Sequence, residues 1–235
     1  MIFLSRTYKL ITKGDIMGKL SLKQLAYNSI KEKILKCEYM PNSFLNEDLL
    51  CEEFKVSRTP IRDALSRLEQ EHLIKILPKK GFFVAPLSIG EINLTFETRT
   101  LLESYAISNH CANLNSDTMD LLYENIKNAK ECIKNNDQEG LFRLDDEFHR
   151  ILLNQCNNYY LIDTYSRVHN QNCRLRVLSG LHDDNRIYST VDEHMEILSF
   201  LAKGDLDAAV KAMTSHLDNA KNASFQAFLD GNSLL

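Results

Sequence analysis

No proline follows Pro86, and residues 87–235 contain no convincing run of alternating apolar and polar side chains. Apolar residues recur there at intervals of three and four, the mark of amphipathic helices. Helical spacing covers about 89–113, 117–135, 138–156, 158–179, 186–203 and 205–228. The breaks fall at Asn115-Ser116, Asn135–Asp137, Asn157-Asn158, Gly180–Asn185 and Gly204-Asp205. Ser88-Ile89-Gly90-Glu91 opens the first segment with a Ser-x-x-Glu pattern, whose side chains satisfy backbone donors left bare at a helix start. The expected fold class is mainly α, with residues 87–235 forming an all-α antiparallel bundle.

The region before Pro86 is organised differently. A first helix begins at Leu22 and stops before Met40-Pro41, where Pro41-Asn42 reads as a turn. Asn46 is placed to cap a short helix over Glu47 to Phe54, and Ser57 to cap another that ends near His72. Pro60 is tolerated in the first turn of that third helix, where backbone N–H groups lack helical acceptors. Two β-prone runs, Ile74–Leu77 and Phe82–Val84, flank Pro78-Lys79-Lys80-Gly81 and predict a hairpin with a basic tip. Three helices and a hairpin make residues 20–86 a winged helix-turn-helix, joined at Ala85-Pro86-Leu87 to the bundle. Residues 1–19 form an N-terminal extension. Lys13-Gly14-Asp15 can be encoded AAAGGAGAT, a ribosome-binding sequence upstream of Met17, so residues 1–16 are expected to be a translated leader.

Charge separates the two regions. The whole chain carries a net charge of −4, which alone argues against a nucleic-acid partner. Residues 17–86, however, hold 12 Lys/Arg against 9 Asp/Glu, whereas residues 87–235 hold 13 against 22. A basic module is joined to an acidic one. Six scattered cysteines without a CxxC pair exclude a zinc ribbon and suit reduced thiols in the cytoplasm. No apolar run approaches the roughly 20 residues of a membrane span, and the N-terminus lacks the apolar core of a signal peptide. No membrane partner is expected.

Within 56–65, Val56, Ile61, Ala64 and Leu65 phase to one side and leave Ser57, Arg58, Thr59 and Arg62 on the outer first turns. In a helix-turn-helix those side chains reach base edges, where an arginine fork matches guanine O6 and N7. Ser and Thr hydroxyls suit phosphate. Lys79, Lys80 and Gly81 at the wing tip add phosphate or minor-groove contacts. The stretch "EDLLCEEFKVSRTPIRDALSRLEQEHLIKILPKKGFFVAP" resembles the DNA-binding domain of the GntR superfamily of bacterial transcription factors, which carries an SRTPVR-like recognition helix, a following Arg-Leu and a wing glycine. The chain departs from that pattern in three places. Asp48 stands where relatives often have a DNA-touching arginine, His72 where a glycine usually ends the recognition helix, and Asn42 where a turn glycine is usual.

"LDDEFHR", residues 144–150, sets an acid and a histidine four apart on a helix. At ~100° per residue, Leu141, Asp145, Phe148, His149 and Leu152 share an arc, Asp146 lies at its edge, and Arg143, Glu147 and Arg150 point away. A lone Asp–His pair on such an arc is commonly a satisfied buried hydrogen bond. Two more histidines phase inward: His194 with Val191, Ile197, Leu198 and Leu201, and His216 with Ala209, Ala212, Met213 and Ala220. They lie 10 residues before and 12 after Gly204, so folding back there sets them at similar heights, ~15 and ~18 Å from the bend. Asp145, His149, His194 and His216 together form a donor set suited to Zn2+, Mn2+, Fe2+ or Ni2+.

The segments "LDDEFHRILLNQCNN" and "DEHMEILSFLAKGDLDAAVKAMTSHL" resemble the FCD effector domain of the FadR subfamily. That resemblance implies a divalent metal, zinc first, on Asp145, His149, His194 and His216, with open positions for the carboxylate of a small effector. "FETRTLLE" resembles the first helix of that domain and makes Arg99 the first effector-binding candidate; the competing reading is an exposed arginine paired with Glu103 at i+4. Arg174 and Arg176 are weaker candidates, and Asn158 reads as a helix cap. His110, His169 and His182 read as surface or locally bonded residues, and His182-Asp183 lacks the helix-phased partners of a hydrolase pair. The resulting expectation is a homodimeric regulator on a double-stranded DNA operator, a repressor from family habit. The alternatives are a metal-dependent hydrolase using Glu147 or Asp146 as base, and a nucleoid-type binder without a small ligand.

Overall fold

The computed structural model describes residues 21–180 and 184–231; the N-terminal extension 1–19, the leader expected within it and the pair His182-Asp183 lie outside the described residues. These fall into two compact units, one of residues 21–34 and 38–85, the other of 35–37 and the chain from Pro86 onward.

The first unit runs α1 (Leu22–Leu35), β1 (Phe44–Leu45), α2 (Glu47–Phe54), α3 (Arg58–Gln70), β2 (Ile74–Leu77) and β3 (Gly81–Val84). Ile61, Ala64, Leu65 and Leu68 lie at helical spacing along α3 and are all buried with Ile30 and Ile34 of α1. Each large apolar side chain so enclosed stabilises the fold by about 1.5–3 kcal/mol. Asn46 caps α2 as its sequence position implies, accepting from the N–H groups of Asp48 and Leu49. Ser57 corrects the reading made of it: it occupies the N-cap of α3 with extended backbone, but its hydroxyl makes no capping hydrogen bond.

The hairpin forms with Ile74 opposite Val84 and Leu77 opposite Gly81. The sheet also has a third strand, absent from the sequence reading. β1 pairs antiparallel with β3, giving the order β1-β3-β2. Two residues are too few to show alternation, so β1 is visible only through its pairing. Phe44 tilts against Phe83 with ring centroids 5.3 Å apart. Gly81 has φ +99°, a conformation that L side chains rarely adopt, and a Cβ there would lie 2.9 Å from the Phe44 ring, which would have to shift. His72, where the family pattern has glycine, takes φ +59° all the same, and Asn42 takes φ +66°.

The second unit contains α4 (Ile89–His110), α5 (Ser116–Lys134), α6 (Gln138–Asn154), α7 (Tyr159–Gly180), α8 (Asp184–Ala202) and α9 (Leu206–Gly231). Polar side chains start these helices. Ser88, Asn115, Asp137 and Asp205 each accept a backbone N–H three residues on, and Asn158 those of Tyr160 and Leu161. α9 packs along α4 and α8, and α5 along α6. The core between them includes Ile92, Phe96, Ile126, Phe148, Ile197 and Met213. α7 breaks the usual rule for helices, because His169, Asn170, Gln171, Asn172 and Arg174 are all buried on it. Among the described residues no helix is long and apolar enough to cross a membrane, and all six cysteines are free.

α8 and α9 fold back at Gly204, which has φ +72°; a Cβ added there would have no neighbour within 4 Å among the described residues. Gly204→Ala therefore meets only the backbone penalty of a left-handed L-residue, about 1 kcal/mol. A lowered urea midpoint is the expected result; an unchanged midpoint would show that this turn does not need φ > 0.

Candidate functional site

α6 carries Asp145 and His149, α8 carries His194 and α9 carries His216, and the helical packing brings all four together. One donor atom from each lies within 4.8 Å of the others. His149 Nε2 stands 3.2 Å from His216 Nε2, and Asp145 Oδ1 is 3.5 Å from His194 Nε2 and 3.9 Å from His149 Nε2. The His194 ring stacks on Phe148, with centroids 3.9 Å apart and planes 8° from parallel. Its Nε2 is buried and has no hydrogen-bond partner among the described residues.

Two glutamates orient this cluster: Glu103, expected only as a partner of Arg99, and Glu193, which the sequence does not single out. Glu103 Oε2 lies 2.5 Å from His149 Nδ1, and Glu193 Oε2 lies 2.7 Å from His216 Nδ1. An ionised carboxylate only accepts, so each Nδ1 carries a proton, and in the neutral imidazole each Nε2 then presents a lone pair. Two lone pairs facing at 3.2 Å repel unless a cation lies between them. That spacing suits neighbouring ligands on one ion with bonds of about 2.0–2.2 Å. The carboxylate–histidine pairing is also the usual outer support of a metal site. The donor set thus fits a divalent ion.

The electrostatics agree with that fit. Burial, followed by the neighbouring His216, pushes His194 well below the ordinary imidazole range. Burial lowers His216 too, against the opposing pull of Glu193. Both are then neutral near pH 7, the form that ligates a metal. Burial alone would raise Glu103, but Arg99 and His149 bring it down to about 2. Asp145 is likewise held far below the carboxylate range despite burial, first by Arg176 and then by the histidines.

The cluster opens on a cavity of about 250 Å3 lined by Asp145, His194 and His216 together with Arg99, Arg176 and Arg186. Phe96, Leu141, Phe142 and Leu144 supply apolar wall. Arg99 does pair with Glu103, Nε to Oε1 at 2.8 Å, but it is only 2% exposed. The alternative of an exposed helix arginine is therefore overturned, because α4 turns this face into the bundle. Its Nη2 has no hydrogen-bond partner among the described residues. Arg176, a secondary candidate, lines the cavity and binds Asp145 Oδ2 and Asp146 Oδ1, each at 2.6 Å. Arg174 does not line the cavity; it is fully buried and donates to Gln171.

The other polar residues fall outside the cluster. His169, expected at the surface or bonded locally, is buried and bonded, with Nε2 2.8 Å from Asp146 Oδ1 and its ring beside Cys173. His110 is half-buried against Tyr105. Glu147, one base of the hydrolase alternative, is half-exposed with Arg143 3.8 Å away, and Asp146, the other, is occupied by Arg176 and His169.

In the first unit Ser57, Arg58, Thr59 and Arg62 are exposed on α3, and Lys79 and Lys80 are exposed beside Gly81 at the hairpin tip. The two arginines are not free. Arg58 Nη2 binds Asp48 Oδ1 at 2.7 Å, and Arg62 Nε binds Glu47 Oε2 at 2.6 Å. Asp48 therefore does more than omit a contact: it partners the arginine beside it.

The family model of the bacterial regulatory proteins of the gntR family matches residues 22–84, and that of the FCD domain matches residues 94–219, over half the chain. The chain belongs to the GntR family and carries an FCD domain. It is similar to the HTH-type transcriptional repressor RspR of Escherichia coli (strain K12), 28% identical over 195 residues, 83% of this chain and 85% of that one. The uncharacterized HTH-type transcriptional regulator YdhC of Bacillus subtilis (strain 168) is 26% identical over 196 residues, 82% of this chain and 86% of its own. A GntR transcriptional regulator from Rhodococcus sp. RHA1 shares the fold, with a TM-score of 0.75 at 20% identity over 88% of this chain and 99% of that one. This is a family of transcriptional regulators rather than enzymes, and the hydrolase alternative has no support.

Glu103 was legible in principle: Ile92, Phe96, Arg99, Glu103 and Ile107 share one buried face of α4. Glu193 and Arg186 left no such signal, because their contacts with His216 and with each other cross between helices or depend on the start of α8. In the FCD domain, Arg176→Met would strand Asp145 and Asp146 without their cation. A loss on the order of 3 kcal/mol is expected in chelator-treated protein by chemical denaturation; a change below ~1 kcal/mol would show that the pair does not depend on Arg176.

Proposed function

We propose that this GntR regulator is a homodimeric, cytoplasmic repressor whose grip on a double-stranded operator is set by a small carboxylate effector held at a divalent metal in the FCD domain. The observation that carries the reading is the Asp145, His149, His194 and His216 cluster set in the wall of a cavity that also holds three arginines. Asp145 and the three histidines would hold the ion, zinc first, with manganese, nickel or iron as other occupants of such a set. Once bound, it supplies a Lewis-acidic point for a carboxylate oxygen. Arg99 offers its unpartnered Nη2 to the same ligand, and Arg176 sits beside it in the cavity.

On the DNA side, Ser57 and Thr59 serve phosphate, Arg58 and Arg62 serve base edges, and Lys79, Lys80 and Gly81 bring the wing to the backbone. Two half-sites require two recognition helices, hence the dimer. Leu94, Leu101 and Tyr105 on α4 are large apolar side chains left exposed in the single chain, which suits association. Repression is favoured by the similarity to RspR, itself named a repressor. Effector binding acts by preferring one of two arrangements of the dimer.

Two experiments test these roles. In duplexes selected from a random library, Arg58→Ala and Arg62→Ala should each weaken binding by at least tenfold and relax the preference at one base position, at ~1–3 kcal/mol per lost bidentate contact. Asp48→Asn, which releases Arg58, should strengthen binding and steepen its salt dependence by about one unit. Unchanged selection with Arg58→Ala and Arg62→Ala would remove α3 from recognition. Separately, His194→Ala or His216→Ala should lower metal content measured by elemental analysis while operator binding by the metal-free protein persists; full metal stoichiometry in both would reject the assigned ligands.

A further inference from the structure

Glu103 does not line the cavity, yet both of its oxygens are committed to groups that serve it. Oε1 accepts from Arg99 Nε at 2.8 Å, and Oε2 accepts from His149 Nδ1 at 2.5 Å. All three side chains are at most 3% exposed, so the carboxylate has no water as a substitute partner. On the far side of this chain of contacts, Arg99 Nη2 is buried without a partner in a residue that lines the cavity. At the other end, His149 Nε2 faces His216 across 3.2 Å.

We propose that Glu103 is the positioning residue that makes metal binding and anion binding depend on each other. The inference rests on the metal reading above and extends it. Glu103 first fixes the tautomer: by accepting the hydrogen bond from Nδ1–H it leaves the lone pair of His149 on Nε2, toward the other donors. It also divides its negative charge between a guanidinium and an imidazole. An anion landing on Arg99 from the cavity draws on the guanidinium from the other side and weakens its claim on Glu103. More of the carboxylate charge then falls on His149, which becomes the better donor to a cation. Linkage requires the converse: a cation on His149 makes Arg99 the better anion receptor by the same factor.

Glutamine cannot perform both tasks. If its carbonyl keeps Arg99 Nε, its NH2 faces His149 Nδ1, which must then accept. The imidazole proton moves to Nε2 and the lone pair is lost to the metal. Zn2+ affinity is measured by competition with a chelating dye, with and without tens of millimolar acetate as the probe anion, on full-length protein checked by circular dichroism. In the unsubstituted chain, acetate should tighten Zn2+ binding about fivefold or more. Glu103→Gln should weaken Zn2+ by roughly 10–100-fold and shrink the acetate effect to what direct contact of acetate with the ion supplies. Arg99→Lys, which keeps a cation beside Glu103 without the forked donors, should hold Zn2+ within about threefold of the unsubstituted chain and shrink the acetate effect in the same way. Should the glutamine variant fail to fold, Glu103→Asp, still anionic but too short to span both partners, is expected to weaken Zn2+ at least about tenfold. Zn2+ affinity and acetate response that survive undiminished in the Glu103 variants would overturn the proposal while leaving the metal site standing. Zn2+ binding indifferent to acetate in the unsubstituted chain overturns it as well, and absence of Zn2+ binding there removes the metal reading with it.

Discussion

A buried charge is tolerable in a helical bundle only when an opposite charge or a good hydrogen-bonding partner meets it, since the effective desolvation penalty is several kcal/mol per ion. That constraint fixes the centre of the FCD domain. Arg99, Glu103 and His149 join α4 to α6, Arg176 joins α7 to Asp145 and Asp146 on α6, and Glu193 joins α8 to His216 on α9. A shift of one helix by a single residue would leave at least one of these groups buried without its partner. The polar centre thus sets the register of helices whose apolar faces alone would accept several.

The same arrangement explains why the site is preorganised. Donors do not have to be gathered from flexible positions, because each histidine is fixed by a carboxylate or a stacked ring and each carboxylate by a cation. His194 is the exception on the polar side: its ring is fixed by Phe148, and its Nε2 is left for whatever the cluster receives. The wall beside it is mainly apolar, which strengthens electrostatic contacts made inside it. In the DNA-binding unit the logic is looser. Arg58 and Arg62 meet Asp48 and Glu47 at the surface, where ion pairs contribute little and exchange readily for other partners.

The helices and the phase of their side chains were readable because both follow from local spacing. Asn46 and Ser88 announced helix starts, Gly204 a reversal, and Asp145, His149, His194 and His216 an inward direction. Other features left a weaker trace. β1 is too short to alternate, and Ser57 has the capping residue type without the bond. The buried polar face of α7 contradicts the rule that polar residues mark the outside: His169, expected at the surface or bonded locally, is buried, and Arg174, a weaker effector-binding candidate, is buried away from the cavity. Arg99 was ambiguous for a specific reason: its i+4 pairing with Glu103 is the same whether the helix face looks outward or inward.

Local spacing along the chain set the mainly helical class, the winged motif before Pro86 and the inward direction of Asp145, His149, His194 and His216, all consequences of periodicities that operate within a few residues. The tertiary structure decided which polar groups meet. Glu103 beneath His149, Glu193 beneath His216, Arg176 on Asp145 and Asp48 on Arg58 are contacts across helices or across a turn. They depend on interhelical distance, crossing angle and rotation, and the 3.6-residue period constrains none of these between separate elements.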